Sequence, residues 1–227
     1  MIDLRAETEP LWRSMSRMSA ASGAPVVMLM SAHPGAGVSS LAASLALHAA
    51  GRAHRAAWLV DLDVTGNTQH SAFERGFAGR DDKPGKALDA ALGQPPIYEI
   101  SPAVESDPRL LAAHRIGSSK LLVTRCRTDR LPRGARLRLQ SQPRWWRALR
   151  EAADWVVVDA PALERSQAGL VAAGQADGVI IVTRAERTRP NDVTVLRAEI
   201  EAHGGRVLGA VLNGQRQDAR FFSDVLV

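Results

Sequence analysis

Residues 26–40 read Val26-Val27-Met28-Leu29-Met30-Ser31-Ala32-His33-Pro34-Gly35-Ala36-Gly37-Val38-Ser39-Ser40. The apolar run at its start predicts a buried strand, and the spacing of Leu41 and Leu45 after it predicts a helix. The glycines therefore lie at a strand-to-helix turn, where backbone N–H groups and the helix N-terminus can hold a phosphate. We interpret the segment from Pro34 to Ser40 as a phosphate-binding loop.

One position of this loop departs from the usual chemistry. Such loops carry a lysine before the serine, and here Val38 stands before Ser39. A hydrogen bond from a charged donor contributes about 1.5–3 kcal/mol, and the lysine also stabilises charge on a transferred phosphoryl group. Ser39 retains the hydroxyl that binds Mg²⁺ in these loops. We therefore expect weak nucleotide binding and negligible hydrolysis.

Three carboxylates follow later apolar runs. Asp61 and Asp63 come after the run that begins at Ala56, and Asp159 comes directly after Val156-Val157-Val158. The carboxyl ends of strands in an open α/β sheet meet at the crevice where ligands bind, and Mg²⁺ is commonly bound by carboxylates. A single acid after a strand is equally typical of a helix cap. Three acids beside a glycine loop predict a site for Mg²⁺ and phosphate.

The alternation of strand and helix patterns predicts an α/β fold with a doubly wound, mostly parallel sheet flanked by helices. Residues 1–22 are predicted to form an N-terminal amphipathic helix, and residues 23–227 a single P-loop NTPase-like domain. Within 67–150 the sequence predicts a short helix at 86–92, strands at 120–125 and 135–140, and a helix from Pro143. Cys126 is the only cysteine, which indicates a reducing compartment, and we expect a cytoplasmic protein without a membrane span.

The segment 109–150 is strongly basic. It contains twelve Lys or Arg residues against one acid, Asp129, and the whole chain has 26 arginines and three lysines. With Trp145 and Trp146 interleaved, the segment is a candidate contact surface for nucleic acid, anionic lipid or an acidic partner. The alternative is a solvated surface in an arginine-rich chain.

The C-terminal residues carry an apolar pattern of their own. Phe221, Phe222, Val225 and Leu226 fall at helical spacing. Such a stripe is expected to pack either on its own domain or on another chain.

Together the motifs resemble those of the bacterial tyrosine kinases of capsule and exopolysaccharide synthesis, the CpsD/CapB type, within the MinD/ParA class of P-loop proteins. The loop is similar to the family's Walker A motif, and Leu59-Val60-Asp61-Leu62-Asp63 is similar to its second motif. Walker B is matched by Val156-Val157-Val158-Asp159-Ala160-Pro161. The likeness covers most of 24–66 and 154–214 and leaves 67–150 unmatched.

The resemblance implies roles for individual residues. The backbone of 35–39 would hold the phosphates of ATP or ADP, Ser39 and Asp159 would hold Mg²⁺, and Asp61 would activate a water or hydroxyl. Asn213 would contact the adenine edge. The cofactor-binding set implied in this way is Pro34, Gly35, Ala36, Gly37, Val38, Ser39, Ser40, Asp61, Asp63 and Asn213.

The resemblance also implies partners. The family acts with a membrane polysaccharide co-polymerase, which would recruit this chain to the inner face of the membrane. Family members oligomerise through a Glu-x-x-Arg-x-x-Arg motif in the N-terminal helix, and this chain offers Glu9, Arg13 and Arg17 at a different spacing. A homo-oligomer through that helix is thus a further expectation.

Two departures from the family pattern direct the functional prediction. Val38 replaces the lysine, and the C-terminus has no tyrosine cluster, since Tyr98 is the only tyrosine in the chain. The prediction is therefore a pseudo-kinase or weak ATPase that serves as an auxiliary protein in exopolysaccharide synthesis and export. Two alternatives remain open: a ParA/MinD-like positioning ATPase on DNA or membrane, and a nucleotide-free scaffold.

Overall fold

Strand β1 (Val26–Met30), which precedes the glycine loop, lies inside an eight-stranded sheet of order β10-β9-β1-β8-β2-β6-β5-β3. The computed structural model describes residues 1–18, 22–102 and 109–214, so the apolar C-terminal residues 221–226 lie outside the described residues. The strands are β1 (Val26–Met30), β2 (Ala57–Asp61), β3 (Pro84–Asp89), β4 (Tyr98–Ser101), β5 (Leu111–Ile116), β6 (Leu121–Cys126), β7 (Arg136–Leu139), β8 (Trp155–Asp159), β9 (Gly178–Arg184) and β10 (Val207–Asn213). The helices are α1 (Arg5–Met15), α2 (Val38–Arg52), α3 (Thr68–Glu74), α4 (Pro143–Ala152), α5 (Ala168–Ala173) and α6 (Pro190–Ala202).

The sheet is parallel from β10 to β6 and antiparallel at the other end, where β5 pairs with both β6 and β3. A separate antiparallel ribbon joins β4 to β7. The predicted α/β class and mostly parallel sheet are thus confirmed. Because β1, β2, β8 and β9 run in the same direction, their carboxyl ends lie at one edge of the sheet, beside the loop that follows β1.

Alternate residues of the central strands enter two apolar layers. In β1, Val26, Met28 and Met30 face the layer that contains α4, α5 and α6, while Val27 and Leu29 face the layer that contains α1, α2 and α3. Every residue of β1 is fully buried. A strand covered on both faces reads as a continuous apolar run, which explains why this segment stands out in the sequence.

The short helix predicted at 86–92 is wrong. Residues Pro84–Asp89 form β3, which pairs antiparallel with β5 at the sheet edge, Leu88 opposite Ala113 and Asp89 opposite Ala112. Lys, Ala and Leu favour helices, but the propensity differences are only tenths of a kcal/mol per residue. Backbone pairing with β5 overrides them. The segment 66–118 also holds α3, β4 and β5, which the sequence pattern did not predict.

The tryptophans of the basic segment belong to the core, which corrects the idea that they form part of a nucleic-acid contact surface. Trp145 and Trp146 are buried in α4, their rings meet edge to face, and the Trp145 indole N–H donates to the Ala90 carbonyl. Neither ring is available to stack on a base. Most arginines of the segment are exposed, among them Arg136 and Arg138 on the outer face of β7.

Helix α1 packs against its own domain. Trp12 and Met15 are buried, the Trp12 ring contacts Trp155, and Glu9 forms an ion pair with Arg52 on α2. Glu9, the acid of the predicted oligomerisation motif, therefore has a partner within the chain. Among the described residues, no helix combines the length and apolar character needed to cross a bilayer.

The burial of Trp145 generates a stability prediction. Replacing Trp145 with Ala removes a fully buried ring and its hydrogen bond, so urea unfolding should show a loss of about 3–5 kcal/mol. The exposed neighbour Arg147, replaced with Gln, is the matched control and should change stability by less than about 0.5 kcal/mol. A Trp145 variant as stable as the wild type would contradict the assignment of this ring to the core.

Candidate phosphate and cation site

The loop between β1 and α2 has the backbone shape of an anion cradle. Gly35 and Gly37 both have positive φ, +82° and +95°, and α2 begins directly after Gly37. A Cβ on Gly37 would lie 2.0 Å from Nδ2 of Asn213, so this position requires glycine for space as well as for its φ. The N–H groups in the first turn of a helix have no partner within the helix, so the N-terminus of α2 favours an anion.

Two carboxylates are buried side by side at the ends of β2 and β8. Asp61 is directly opposite Asp159 in the parallel register. Asp61 is 5% exposed to solvent and Asp159 is 4% exposed. The Asp61 carboxylate accepts hydrogen bonds from the backbone N–H groups of Asp63 and Gln69, each 2.9 Å long. The Gln69 side-chain amide links Asp159 to the Ser39 carbonyl. The structure thus brings the predicted residues Ser39, Asp61 and Asp159 together.

Gln69 connects these parts, and sequence reasoning did not find it. Its side-chain amide donates to the Ser39 carbonyl at 2.9 Å and to the Asp159 carboxylate at 2.6 Å, and the residue is fully buried. Its Oε1 has no hydrogen-bond partner among the described residues. The available signal was its position, in the first turn of a helix that follows the Gly66-Asn67 turn.

Burial perturbs both acids. Desolvation, with the charge of Asp159 second, holds the pKa of Asp61 well above its usual value. Desolvation also raises the pKa of Asp159 to about 6, although hydrogen bonds from Gln69 and Ser39 oppose the shift. Two buried carboxylates that resist ionisation together are a favourable environment for a cation.

The residues present fit a Mg²⁺ ion that accompanies a nucleotide. Ser39 offers a hydroxyl, Asp159 and Asp61 offer carboxylates, and Gln69 offers an unpartnered buried carbonyl oxygen, all of them the hard oxygen ligands that Mg²⁺ prefers. Within the described chain, no three His, Cys, Asp or Glu side chains are placed to hold a metal by themselves. Phosphate and water would therefore have to complete the coordination, as is usual for Mg²⁺. When bound, the ion would neutralise phosphate charge.

Val38 contributes no cation to this site. The residue is only 7% exposed, and its side chain belongs to the apolar layer that contains α2. It thus packs where a lysine would present an ammonium group.

Asp63 and Asn213 have structural contacts at the rim. Asp63 accepts a hydrogen bond from the Gly66 backbone N–H and lies 3.6 Å from the Arg165 guanidinium, so it closes the turn after β2. Asn213 donates from Nδ2 to the Ala36 carbonyl at 2.8 Å. The nucleotide contacts that the resemblance implies for both residues stay predictions.

The mouth of the loop opens on a cavity of about 600 Å³, lined by His33, Pro34, Ala36, Glu164, Arg184, Glu186, Arg187, Thr188, Arg189 and Asp192. His33 lies between two carboxylates, 3.1 Å from Glu164 and 3.1 Å from Asp192. The half-exposed imidazole joins the loop to the segment after β8 and to the first turn of α6.

Comparisons with solved structures give the fold. The kinase domain of the Escherichia coli tyrosine kinase ETK matches over 99% of this chain and 79% of its own, with a TM-score of 0.62 and 17% identity. The VpsO kinase domain matches over 94% of this chain and 95% of its own, with a TM-score of 0.63 and 20% identity. The septum site-determining protein MinD of Pyrococcus horikoshii, complexed with Mg-ADP, matches over 86% and 72%, with a TM-score of 0.56 and 16% identity.

The chain has a P-loop NTPase-like fold. It is structurally similar to bacterial tyrosine kinase domains and to MinD-type ATPases, at identities that establish the fold alone. No protein-family model matches the sequence, and no curated protein matches it. Activity therefore has to be argued from the site itself.

The raised pKa of Asp159 predicts a stability effect with a definite sign. Between pH 4 and 6 the folded chain binds more protons at this carboxyl than the unfolded chain does, so this group lowers stability as the pH rises. Asp159→Asn retains an acceptor for the Gln69 amide and removes the charge. Urea unfolding at pH 8 should show a gain on the order of 1–3 kcal/mol, and the gain should disappear below pH 4.

Asp154 provides the matched control. Its carboxylate accepts hydrogen bonds from Arg55, which holds its pKa below the usual value despite partial desolvation. Asp154→Asn should therefore lose stability at pH 8. If Asp159→Asn also lost stability at pH 8, the two acids would not differ in the way described.

The His33 contacts predict a loss of stability with rising pH, as for Asp159, but over a higher pH range. Hydrogen bonds to Glu164 and then Asp192 raise the pKa of His33 above 6.5. Its stabilisation is therefore complete below pH 6.5 and is lost as the pH rises through the higher folded-state value. The difference in melting temperature between wild type and His33→Asn should be largest near pH 6 and should shrink toward pH 9. A difference that grows with pH would show that His33 does not act through its charge.

Proposed function

We propose that this chain is a degenerate P-loop kinase- or ATPase-like auxiliary protein that acts with a membrane polysaccharide co-polymerase in exopolysaccharide synthesis and export. The observation that carries the proposal is an assembled loop and carboxylate pair in which the lysine position is a buried valine. The proximity of Ser39, Asp61 and Asp159 supports binding of a nucleotide with Mg²⁺, whereas Val38 offers no cation to stabilise a transferred phosphoryl group. Binding without efficient turnover is the expected result.

The polysaccharide branch is supported by the motif resemblance and by the similarity to the ETK and VpsO kinase domains. Our proposal includes no autophosphorylation on tyrosine. The ring of Tyr98 is buried, and its hydroxyl accepts a hydrogen bond from the Leu110 N–H. A buried phenol cannot act as a phosphoryl acceptor without local unfolding. The function we propose is therefore assembly with a partner, with nucleotide as a ligand that regulates or stabilises the chain.

A ParA/MinD-like positioning ATPase is the second candidate, supported by the similarity to MinD with Mg-ADP and by the exposed arginines of 109–150. Its distinguishing property is a nucleotide-dependent affinity for DNA or anionic membrane that falls with salt. Affinity of this kind in the presence of ATP, together with no association with a co-polymerase, would favour it. An inability to bind nucleotide at all would leave a scaffold.

The missing lysine can be restored to test the proposal. Val38→Lys keeps an aliphatic stem against the apolar layer and adds an ammonium group at the loop. Calorimetric titration with Mg-ATP should show binding at least about tenfold tighter than in the wild type. Val38→Met, similar in length and uncharged, should show no such gain.

Turnover distinguishes a degenerate site from an active one. The wild-type kcat for ATP hydrolysis should stay far below roughly 1 s⁻¹, the lower end of the range of typical enzymes. A wild-type rate at or above that value, abolished by Asp61→Ala, would show an active enzyme and overturn the proposal.

A further inference from the structure

Two side chains donate hydrogen bonds to backbone carbonyls of the phosphate loop. Arg184 donates from Nη1 to the Gly35 carbonyl at 3.1 Å, and Asn213 donates from Nδ2 to the Ala36 carbonyl at 2.8 Å. The two residues are paired neighbours at the carboxyl ends of β9 and β10, and β9 lies directly beside β1. The pairing of the parallel strands therefore places a guanidinium group beside the loop.

The charge of this guanidinium is not neutralised. In the described part of the chain, Arg184 forms no ion pair, whereas Arg165 lies against Asp63 and Arg150 against Asp177. His33, the other cationic group on the loop, is already held by two carboxylates. Arg184 is exposed and lines the cavity at the loop mouth. Among the described residues it is therefore a positive charge without an ion-pair partner, at the entrance of an anion cradle.

The loop itself is short of the positive charge that a polyphosphate requires, and of the three arginines that line the cavity only Arg184 donates a hydrogen bond to the loop backbone. Val38 is apolar and buried, and the carboxyl groups of Asp61 and Asp159 lie behind the loop. A guanidinium group binds phosphate through two parallel hydrogen bonds, and it is less strongly hydrated than an ammonium group. The cavity volume of about 600 Å³ is within the range of small-molecule sites.

We propose that Arg184 supplies the positive charge that the loop lacks at Val38, and that it binds the polyphosphate of a nucleoside di- or triphosphate from the cavity side. The proposal rests on the proposed function, in that it assumes a nucleotide on this loop. It adds the residue that makes binding possible without the lysine. The long side chain exchanges its hydrogen bond to the Gly35 carbonyl for the phosphate oxygens.

The experiment is a titration of the full-length chain with Mg-ADP and Mg-ATP at low salt. Arg184→Gln should weaken binding by about tenfold or more. Arg206→Gln is the control matched in charge: Arg206 is exposed and precedes β10, at the end of the sheet opposite the loop. Its affinity should stay within about twofold of wild type. Melting temperatures of both variants verify that the fold is intact.

The double variant tests replacement of one cation by another. If Arg184 replaces the missing lysine, Val38→Lys should restore the nucleotide affinity that Arg184→Gln removes. Arg184→Gln should also reduce the affinity less in the Val38→Lys background than in the wild type. The ratio of wild-type to Arg184→Gln affinity should also fall as KCl is raised, because an exposed charge is screened. A loss caused only by a loosened loop would not depend on salt in this way.

The outcomes separate this inference from the proposed function. Wild-type binding that is unchanged in Arg184→Gln, or that weakens equally at all salt concentrations, overturns the role of Arg184 and leaves nucleotide binding intact. A wild-type chain that binds neither Mg-ADP nor Mg-ATP at millimolar concentration overturns both, since Arg184 then fails to compensate for Val38. A salt-dependent loss rescued by Val38→Lys supports the inference.

Discussion

The site depends on two carboxylates being held next to each other inside the protein. Asp61 and Asp159 are opposite residues of neighbouring parallel strands, so the register of β2 and β8 determines their separation. Burial makes their joint ionisation unfavourable, and the surrounding structure has to compensate. The backbone N–H groups of Asp63 and Gln69 donate to Asp61, while the Gln69 side-chain amide donates to Asp159 and to the Ser39 carbonyl. These bonds join the loop after β1 to the carboxyl ends of β2 and β8.

The central strands were predictable because each carries its whole signal locally. β1, β2, β8 and β9 are covered on both faces, and such strands read as unbroken apolar runs followed by a polar residue. The antiparallel end of the sheet has no such signal. In β3 every side chain is at least partly exposed, and only the pairing with β5 makes the segment a strand. Pairing of distant segments cannot be deduced from the composition of either one.

The residues of the candidate site likewise fall into those that the sequence predicts and those that it does not. Glycines, Ser39 and the strand-end acids were predictable because each of those residue types follows an apolar run. Gln69 was not, because its role comes from the direction in which α3 leaves the turn after Asp63. Arg184 does end an apolar strand, so the rule that found the acids would have found it had cations also been considered. The ion pairs of His33 were not predictable because both partners, Glu164 and Asp192, are far away in sequence.

Val38 and Arg184 are best understood together. A buried valine in the first turn of α2 extends the apolar layer up to the loop, and it removes a cation from the interior side of the cradle. The guanidinium of Arg184, which forms no ion pair among the described residues, lies on the exterior side, where it can change partners without the desolvation that a buried charge requires. Moving the positive charge from the helix to the end of β9 would preserve attraction for phosphate. It would also take the charge away from the place where a lysine stabilises a transition state. Under the function we propose, such a site would bind a nucleotide without cleaving it efficiently.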